Sequence, residues 1–107
     1  MLQLTLPGIP VVYYGDELGM HDVPIAKDQV RDPFEWQTGG RGLGRDPERT
    51  PMQWSAEANA GFTTSKPWLP IADDFMTVNV ETQRKDVHSS FVMYRTLLEL
   101  LPSILDA

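Results

Sequence analysis

An α/β fold is the class that this sequence predicts, and three segments of contrasting pattern predict it. Residues 9–14 form a short apolar run that is typical of a strand in a parallel sheet. Residues 88–101 carry apolar side chains at helical spacing, which predicts an amphipathic helix. Between them, residues 21–70 show neither a helical nor a strand period. One strand cannot form a sheet by itself, so we expect the chain to be a piece of a larger α/β domain.

The strand prediction depends on the run Ile-Pro-Val-Val-Tyr-Tyr, which is rich in β-branched and aromatic residues. Glycines at positions 8 and 15 bound it on either side. Its apolar side chains would face both sides of a sheet, as in parallel sheets that helices cover on both faces. No partner strand is identifiable in the chain, and unpaired strand edges favour association. For the isolated chain we therefore expect marginal stability, self-association through this strand, or a mobile segment 21–70.

The middle of the chain is predicted to be one long irregular loop. It is rich in Gly, Pro, Asp and Thr, and stretches of this length without regular structure tend to be functional in compact domains. A solvated linker would not need its large aromatic side chains, which are Phe34, Trp36, Trp54, Phe62 and Trp68. We therefore expect this loop to pack over a larger surface.

The helix prediction depends on apolar residues spaced by three, four and three positions. These residues are Phe91, Tyr94, Leu98 and Leu101. Ser89 or Ser90 is a candidate N-cap, because a hydroxyl there can accept a hydrogen bond from a free amide of the first turn. Pro102 is expected to end the helix or to fall just beyond it.

Composition excludes several classes of partner. The chain has 107 residues and a formal net charge of -6, which argues against nucleic acid and against an anionic membrane surface. It has no cysteine, so disulfides and thiolate metal sites are excluded. No apolar run approaches the ~20 residues of a membrane span. The first residues lack the basic region of a signal peptide, so a cytoplasmic location is expected.

Six motifs occur in order along the chain: LTLPGIPVVYYGDELGM, RDPFE, GLGRDPERTPMQW, NAGFT, PWLP and VNVETQ. Together they resemble the C-terminal part of the catalytic barrel of the α-amylase family of glycoside hydrolases. The sequence looks most similar to bacterial α-glucosidases of the oligo-1,6-glucosidase type, over residues 2 to about 100. The resemblance implies a fragment of a (β/α)8 barrel. Residues 1–20 would hold strand eight and its rim, 21–85 a long rim loop, and 86–102 the final barrel helix.

The resemblance also implies a reaction. The complete protein would be a retaining α-glucosidase that acts on α-linked gluco-oligosaccharides without a cofactor. The carboxylates that perform catalysis in this family lie on earlier strands, before residue 1, so the chain alone is expected to be inactive and to supply no catalytic residue. Two stretches depart from the family pattern: FEWQTGGRGLG within the loop and LLELLPSILDA at the end.

Arg49 is the leading candidate for substrate binding. In related α-glucosidases the arginine before Thr-Pro helps to hold the terminal glucose, and a guanidinium can bridge adjacent hydroxyls. Its carboxylate partner in the family comes from an early strand; the alternative is that Arg49 only fastens the loop to the barrel. Asp46 is a second candidate, which would contact sugar or orient Arg49, or else form a turn before Pro47. Asp16 and Glu17 are candidate rim residues, at outer positions or at a helix N-terminus.

Other residues receive less specific predictions. Trp54 and Phe62 could stack on sugar faces, although packing within the loop is the stronger expectation. His21 and His88 match no metal-ligand spacing, so no metal site is predicted.

Two alternative functions stay open at this point. One is a non-catalytic relative, such as the heavy subunit of certain amino-acid transporters, which resembles these glucosidases. The other is a small carbohydrate-binding or interaction module that folds alone or as an oligomer. The retained arginine in GRDPERTPMQW favours the glucosidase over the transporter subunit.

Overall fold

The computed structural model describes residues 2–105, which contain four α-helices separated by long irregular connections. Helix α1 covers Leu2–Thr5, α2 covers Pro33–Gln37, α3 covers Val80–Arg84 and α4 covers Ser90–Leu105. Short 3₁₀ turns lie at Asp16–Leu18, Lys27–Gln29, Asp46–Glu48 and Ala58–Gly61. Among the helices of these residues, none is long and apolar enough to cross a membrane.

The predicted strand at 9–14 does not form in this chain. Residues 2–105 contain no strand, and the segment lies open, with Ile9 93% and Val11 77% exposed. A strand needs a neighbour to accept and donate its ladder hydrogen bonds. No segment of the described residues lies alongside 9–14 as such a neighbour, so the local propensity of this run is not expressed as a ladder.

Helix α4 forms where the amphipathic pattern predicts a helix, but it ends later than predicted. The Ser89 hydroxyl accepts a hydrogen bond from the Val92 amide at 3.2 Å, so Ser89 is the N-cap. Tyr94 is buried on the apolar face. The expectation that Pro102 ends the helix was wrong, because α4 continues through Pro102 to Leu105. The fixed φ of proline is compatible with a helix, and the loss is confined to one amide donor and local crowding near its end.

Three of the other elements pack around α4. Helices α1 and α3 and the 3₁₀ turn at Asp16–Leu18 all contact it. Gln83 joins three of these elements: its Nε2 donates to the Leu18 carbonyl at 2.9 Å, and its Oε1 accepts from the Phe91 amide at 3.1 Å. This glutamine therefore fixes the end of the segment 9–18 relative to the long helix.

The long connection from 21 to 85 is more ordered than the sequence predicted. It contains α2, α3 and three of the 3₁₀ turns. Gln53 is fully buried. Its side-chain Nε2 donates to the Val78 carbonyl at 2.6 Å, and its backbone carbonyl accepts from the Val80 amide at 3.0 Å. Asn79 is also fully buried and caps α3 by accepting from the Thr82 amide at 2.8 Å. The PMQW and VNVETQ motifs thus form one hydrogen-bonded unit.

Candidate functional site

Two copies of the tripeptide Arg-Asp-Pro, at 31–33 and 45–47, face each other across the loop. The second aspartate, Asp46, is buried, and its Oδ2 accepts hydrogen bonds from the amides of Arg31 at 2.6 Å and Asp32 at 2.9 Å. Each motif starts a short helix, in which Pro33 is the first residue of α2 and Pro47 the second residue of the 3₁₀ helix Asp46–Glu48. The Asp46 carboxylate thus holds the backbone of the first motif, a role that the sequence did not predict, and its contact with sugar stays a prediction.

Asp32 of the first motif in turn accepts a hydrogen bond from the backbone of the second motif. Its Oδ2 accepts from the Arg45 amide at 2.9 Å, and its Oδ1 accepts from the Phe34 amide at 3.0 Å as the N-cap of α2. The same Oδ2 lies 3.7 Å from Nη1 of Arg49. The hydrogen bonds from Arg45 and Phe34 and the positive charges of Arg49 and Arg45 outweigh desolvation and lower the pKa of Asp32 below its ordinary value.

The backbone around Arg49 is held from the segment 9–14. The Tyr13 hydroxyl donates to the Glu48 carbonyl at 3.1 Å, and the Tyr14 hydroxyl donates to the Thr50 carbonyl at 2.9 Å. These two carbonyls flank Arg49 on either side in the sequence. The backbone is therefore fixed on both sides, while the Arg49 side chain stays 42% exposed.

The two tyrosines also contact each other. Their ring centroids lie 4.8 Å apart, at an interplanar angle of 33°. Burial is the largest cause, and the neighbouring Tyr13 a further cause, of a rise in the pKa of Tyr14 above its ordinary value. Tyr14 therefore stays protonated at neutral pH and keeps its hydroxyl as the donor to Thr50.

A cavity of about 390 Å³ opens beside Arg49. Its walls include Tyr14, Glu17, Arg49, Met52, Trp54, Phe62 and Trp68. Trp54 and Trp68 are each 50% exposed and Phe62 is 44% exposed. Trp54 and Phe62 are thus about half covered in this chain and are not fully packed inside the loop. The cavity therefore combines aromatic faces with one cation and one carboxylate.

Asp16 and Glu17 lie in the first turn of the 3₁₀ helix at Asp16–Leu18. Asp16 accepts from the Tyr13 amide and Glu17 from the Gly15 amide, both at 3.1 Å. Both carboxylates thus close the turn after the segment 9–14, and Glu17 also borders the cavity. Within residues 2–105, no three His, Cys, Asp or Glu side chains are grouped as a metal ion would need.

Sequence reasoning missed two carboxylates. Glu35 accepts from the Gly42 amide at 2.6 Å and the Gly44 amide at 2.7 Å, and so closes the stretch that departs from the family pattern. Asp32 was missed as the partner of Arg49, because the resemblance places that partner on an absent strand. The available signal was the repeated Arg-Asp-Pro, which sets two equivalent carboxylates within one loop.

Comparison with known proteins settles the family. Residues 1–103 match the family model described as the alpha amylase catalytic domain. The chain belongs to the α-amylase family of glycoside hydrolases. The resemblance that the six motifs carry is thereby confirmed.

The chain is similar both to a maltase and to an amino acid transporter heavy chain. Maltase 1 of Drosophila virilis is 41% identical over 114 residues, which cover 96% of this chain and 17% of the maltase. The amino acid transporter heavy chain of Rattus norvegicus is 39% identical over 98 residues, covering 91% of this chain and 13% of that protein. This chain therefore spans less than a fifth of the length of either relative.

A solved structure of related sequence has a backbone similar to that of this chain. The crystal structure of the alpha-glucosyl transfer enzyme XgtA superposes with a TM-score of 0.81 at 36% identity. The superposition covers 94% of this chain and 18% of XgtA.

Proposed function

We propose that this chain is part of a retaining α-glucosidase that acts on α-linked gluco-oligosaccharides. Membership of the α-amylase family supports this, as does 41% identity to a maltase. The observation that carries the proposal is the Arg49 side chain, which is 42% exposed beside an aromatic cavity while its backbone is fixed on both sides. The catalytic carboxylates would come from outside these 107 residues.

The position of the chain within a barrel belongs to the same proposal. Residues 1–20 would supply strand eight and its rim, 21–85 the rim loop, and 86–102 the last helix. The exposed apolar side chains of the segment 9–14 support this, because the layers that pack on both faces of a parallel barrel sheet would cover them. Helix α4 lies where the final helix is expected in the sequence.

In this proposal Arg49 binds the reacting sugar. A guanidinium presents a planar set of donors that suits vicinal hydroxyls, and a positive charge strengthens each hydrogen bond. Asp46 acts through the loop, because its carboxylate is occupied by two backbone amides and its carbonyl accepts from the Arg49 amide at 3.0 Å. Asp16 and Glu17 stay rim residues, with Glu17 nearer the cavity.

The test compares two arginines of the same motif in the full-length protein. Arg49→Ala is expected to lower kcat/KM for maltose by roughly ten- to a hundredfold, because a hydrogen bond from a charged donor contributes about 1.5–3 kcal/mol. Arg45→Ala serves as the matched control: it removes a neighbouring guanidinium and leaves the backbone amide that donates to Asp32. Equal losses in the two variants would rule out the role of Arg49.

The second candidate is a non-catalytic member of the family. Its support is the 39% identity to an amino acid transporter heavy chain. Purified full-length protein that fails to hydrolyse maltose, isomaltose and p-nitrophenyl α-glucoside would favour this candidate over the glucosidase. The 107-residue chain alone is expected to show no turnover in the same assay, and maltose binding by that chain alone would favour a binding module.

A cytoplasmic location stays a prediction.

A further inference from the structure

We infer that Asp32 is a positioning residue for Arg49, so that the loop orients its substrate-binding guanidinium with a carboxylate of its own. This inference rests on the proposed function, since it concerns the same arginine. It differs from the expectation for the family, in which the partner carboxylate comes from an early barrel strand. The structure brings together two residues that are far apart in the loop and places Oδ2 of Asp32 3.7 Å from Nη1 of Arg49.

The first step of the argument is that Asp32 is held in place. Backbone amides of Phe34 and Arg45 donate to its two oxygens at 3.0 and 2.9 Å, and its side chain is 11% exposed. Its own backbone amide is bound by Asp46 at 2.9 Å. The carboxylate therefore has little freedom to follow the arginine, and the arginine side chain adapts to it.

The second step concerns the length of the contact. At 3.7 Å the Nη1–Oδ2 separation exceeds a hydrogen bond, so the interaction is an attraction between charges. Such an attraction biases the direction of a flexible side chain without occupying its N–H donors. All five N–H donors of Arg49 thus stay free for hydroxyl groups, whereas a tight bidentate pair would occupy two of them.

The third step is that the negative charge on Asp32 is stable. Hydrogen bonds from Arg45 and Phe34, and the charge of Arg49, favour the ionised form. Asp32 is therefore charged throughout the neutral range, and the bias on Arg49 is permanent in that range. The second Arg-Asp-Pro motif supports the first, because Asp46 fixes the backbone that carries Asp32.

The experiment is a double-mutant cycle in the full-length protein, with Asp32→Asn, Arg49→Ala and the double variant. Asp28→Asn is the matched control, because it removes the same charge from an exposed position earlier in the same loop. We expect Asp32→Asn to lower kcat/KM by roughly two- to fivefold, as suits a partly exposed ion pair, and Asp28→Asn to leave it unchanged. In the Arg49→Ala background, Asp32→Asn should cause no further loss.

Thermal unfolding separates positioning from loop stability. Most of the fall in Tm from Asp32→Asn should persist without Arg49, because the hydrogen bonds from the Phe34 and Arg45 amides are weakened in either background, whereas the effect on kcat/KM should need Arg49. An unchanged kcat/KM for Asp32→Asn, or an equal loss in both backgrounds, would overturn the inference and leave the proposed function standing. A full-length protein without turnover, or one unaffected by Arg49→Ala, would remove the proposed function itself.

A second variant covers the case in which Asp32→Asn yields no folded protein. Asp32→Glu keeps the charge on a longer side chain, so its loss in kcat/KM should be smaller than the roughly two- to fivefold loss expected on removal of the charge. A folded Asp32→Glu variant with a loss of about fivefold or more would contradict the inference, because the charge would still be present.

Discussion

The buried carboxylate of Asp46 offers the sharpest test of how the loop is held together. Asp46→Ala removes the acceptor of two hydrogen bonds, from the Arg31 amide at 2.6 Å and the Asp32 amide at 2.9 Å. The change deletes no apolar contact of comparable size. Its effect should therefore fall on the contact between the two Arg-Asp-Pro motifs.

The magnitude follows from the two donors that lose their partner. Leaving a buried donor unsatisfied costs about 1–3 kcal/mol. Arg31 is exposed and Asp32 half-buried, so water can reach both amides after a small opening and the cost lies near the lower end. We expect about 2–3 kcal/mol for the pair, counted as local stability of the loop.

Amide hydrogen exchange is the appropriate assay, because it reports local opening as well as global unfolding. In Asp46→Ala, the amides of Arg31 and Asp32 should exchange roughly thirty- to a hundredfold faster, at 1.4 kcal/mol for each factor of ten. Asp28→Ala, at an exposed position, is the matched control. Unchanged exchange at both amides in Asp46→Ala would refute the assignment of Asp46 as the residue that holds the loop.

Three further predictions concern other contacts. Gly61→Ala should lower Tm more than Gly19→Ala: both glycines have positive φ, at 69° and 72°, but a Cβ at Gly61 would lie 2.6 Å from Oγ of Ser55 whereas Gly19 faces open space. Tyr14→Phe should lower the unfolding free energy by about 1 kcal/mol through loss of its hydroxyl donor, and an unchanged denaturation midpoint would contradict that bond. The pKa of Asp32 is lower in the folded protein than its ordinary value, so its ionised carboxylate contributes stability above the ordinary pKa and loses it as pH falls through the folded pKa. Asp32→Asn should therefore flatten this part of an acid-unfolding curve.

The sequence alone determined the long helix, the family and the leading site residue. Phe91, Tyr94 and Leu98 repeat at the period of a helix, and this period is a local property of the chain. A serine N-cap depends on a single turn, so the sequence predicted Ser89 or Ser90, and the structure selects Ser89. The six ordered motifs were sufficient for the α-amylase family, which the family match confirms. Arg49 was selected from the same motifs, and its role stays a prediction.

Tertiary structure decided the state of the segment 9–14 and the carboxylate beside Arg49. The strand propensity of 9–14 is real, but a strand exists only where a second segment supplies its ladder, and none of the described residues does so. Spacing along the chain did not show that Asp32 and Asp46 each bind the backbone of the other motif. Hydrogen bonds between distant segments depend on how the loop closes, and a local pattern carries no information about closure.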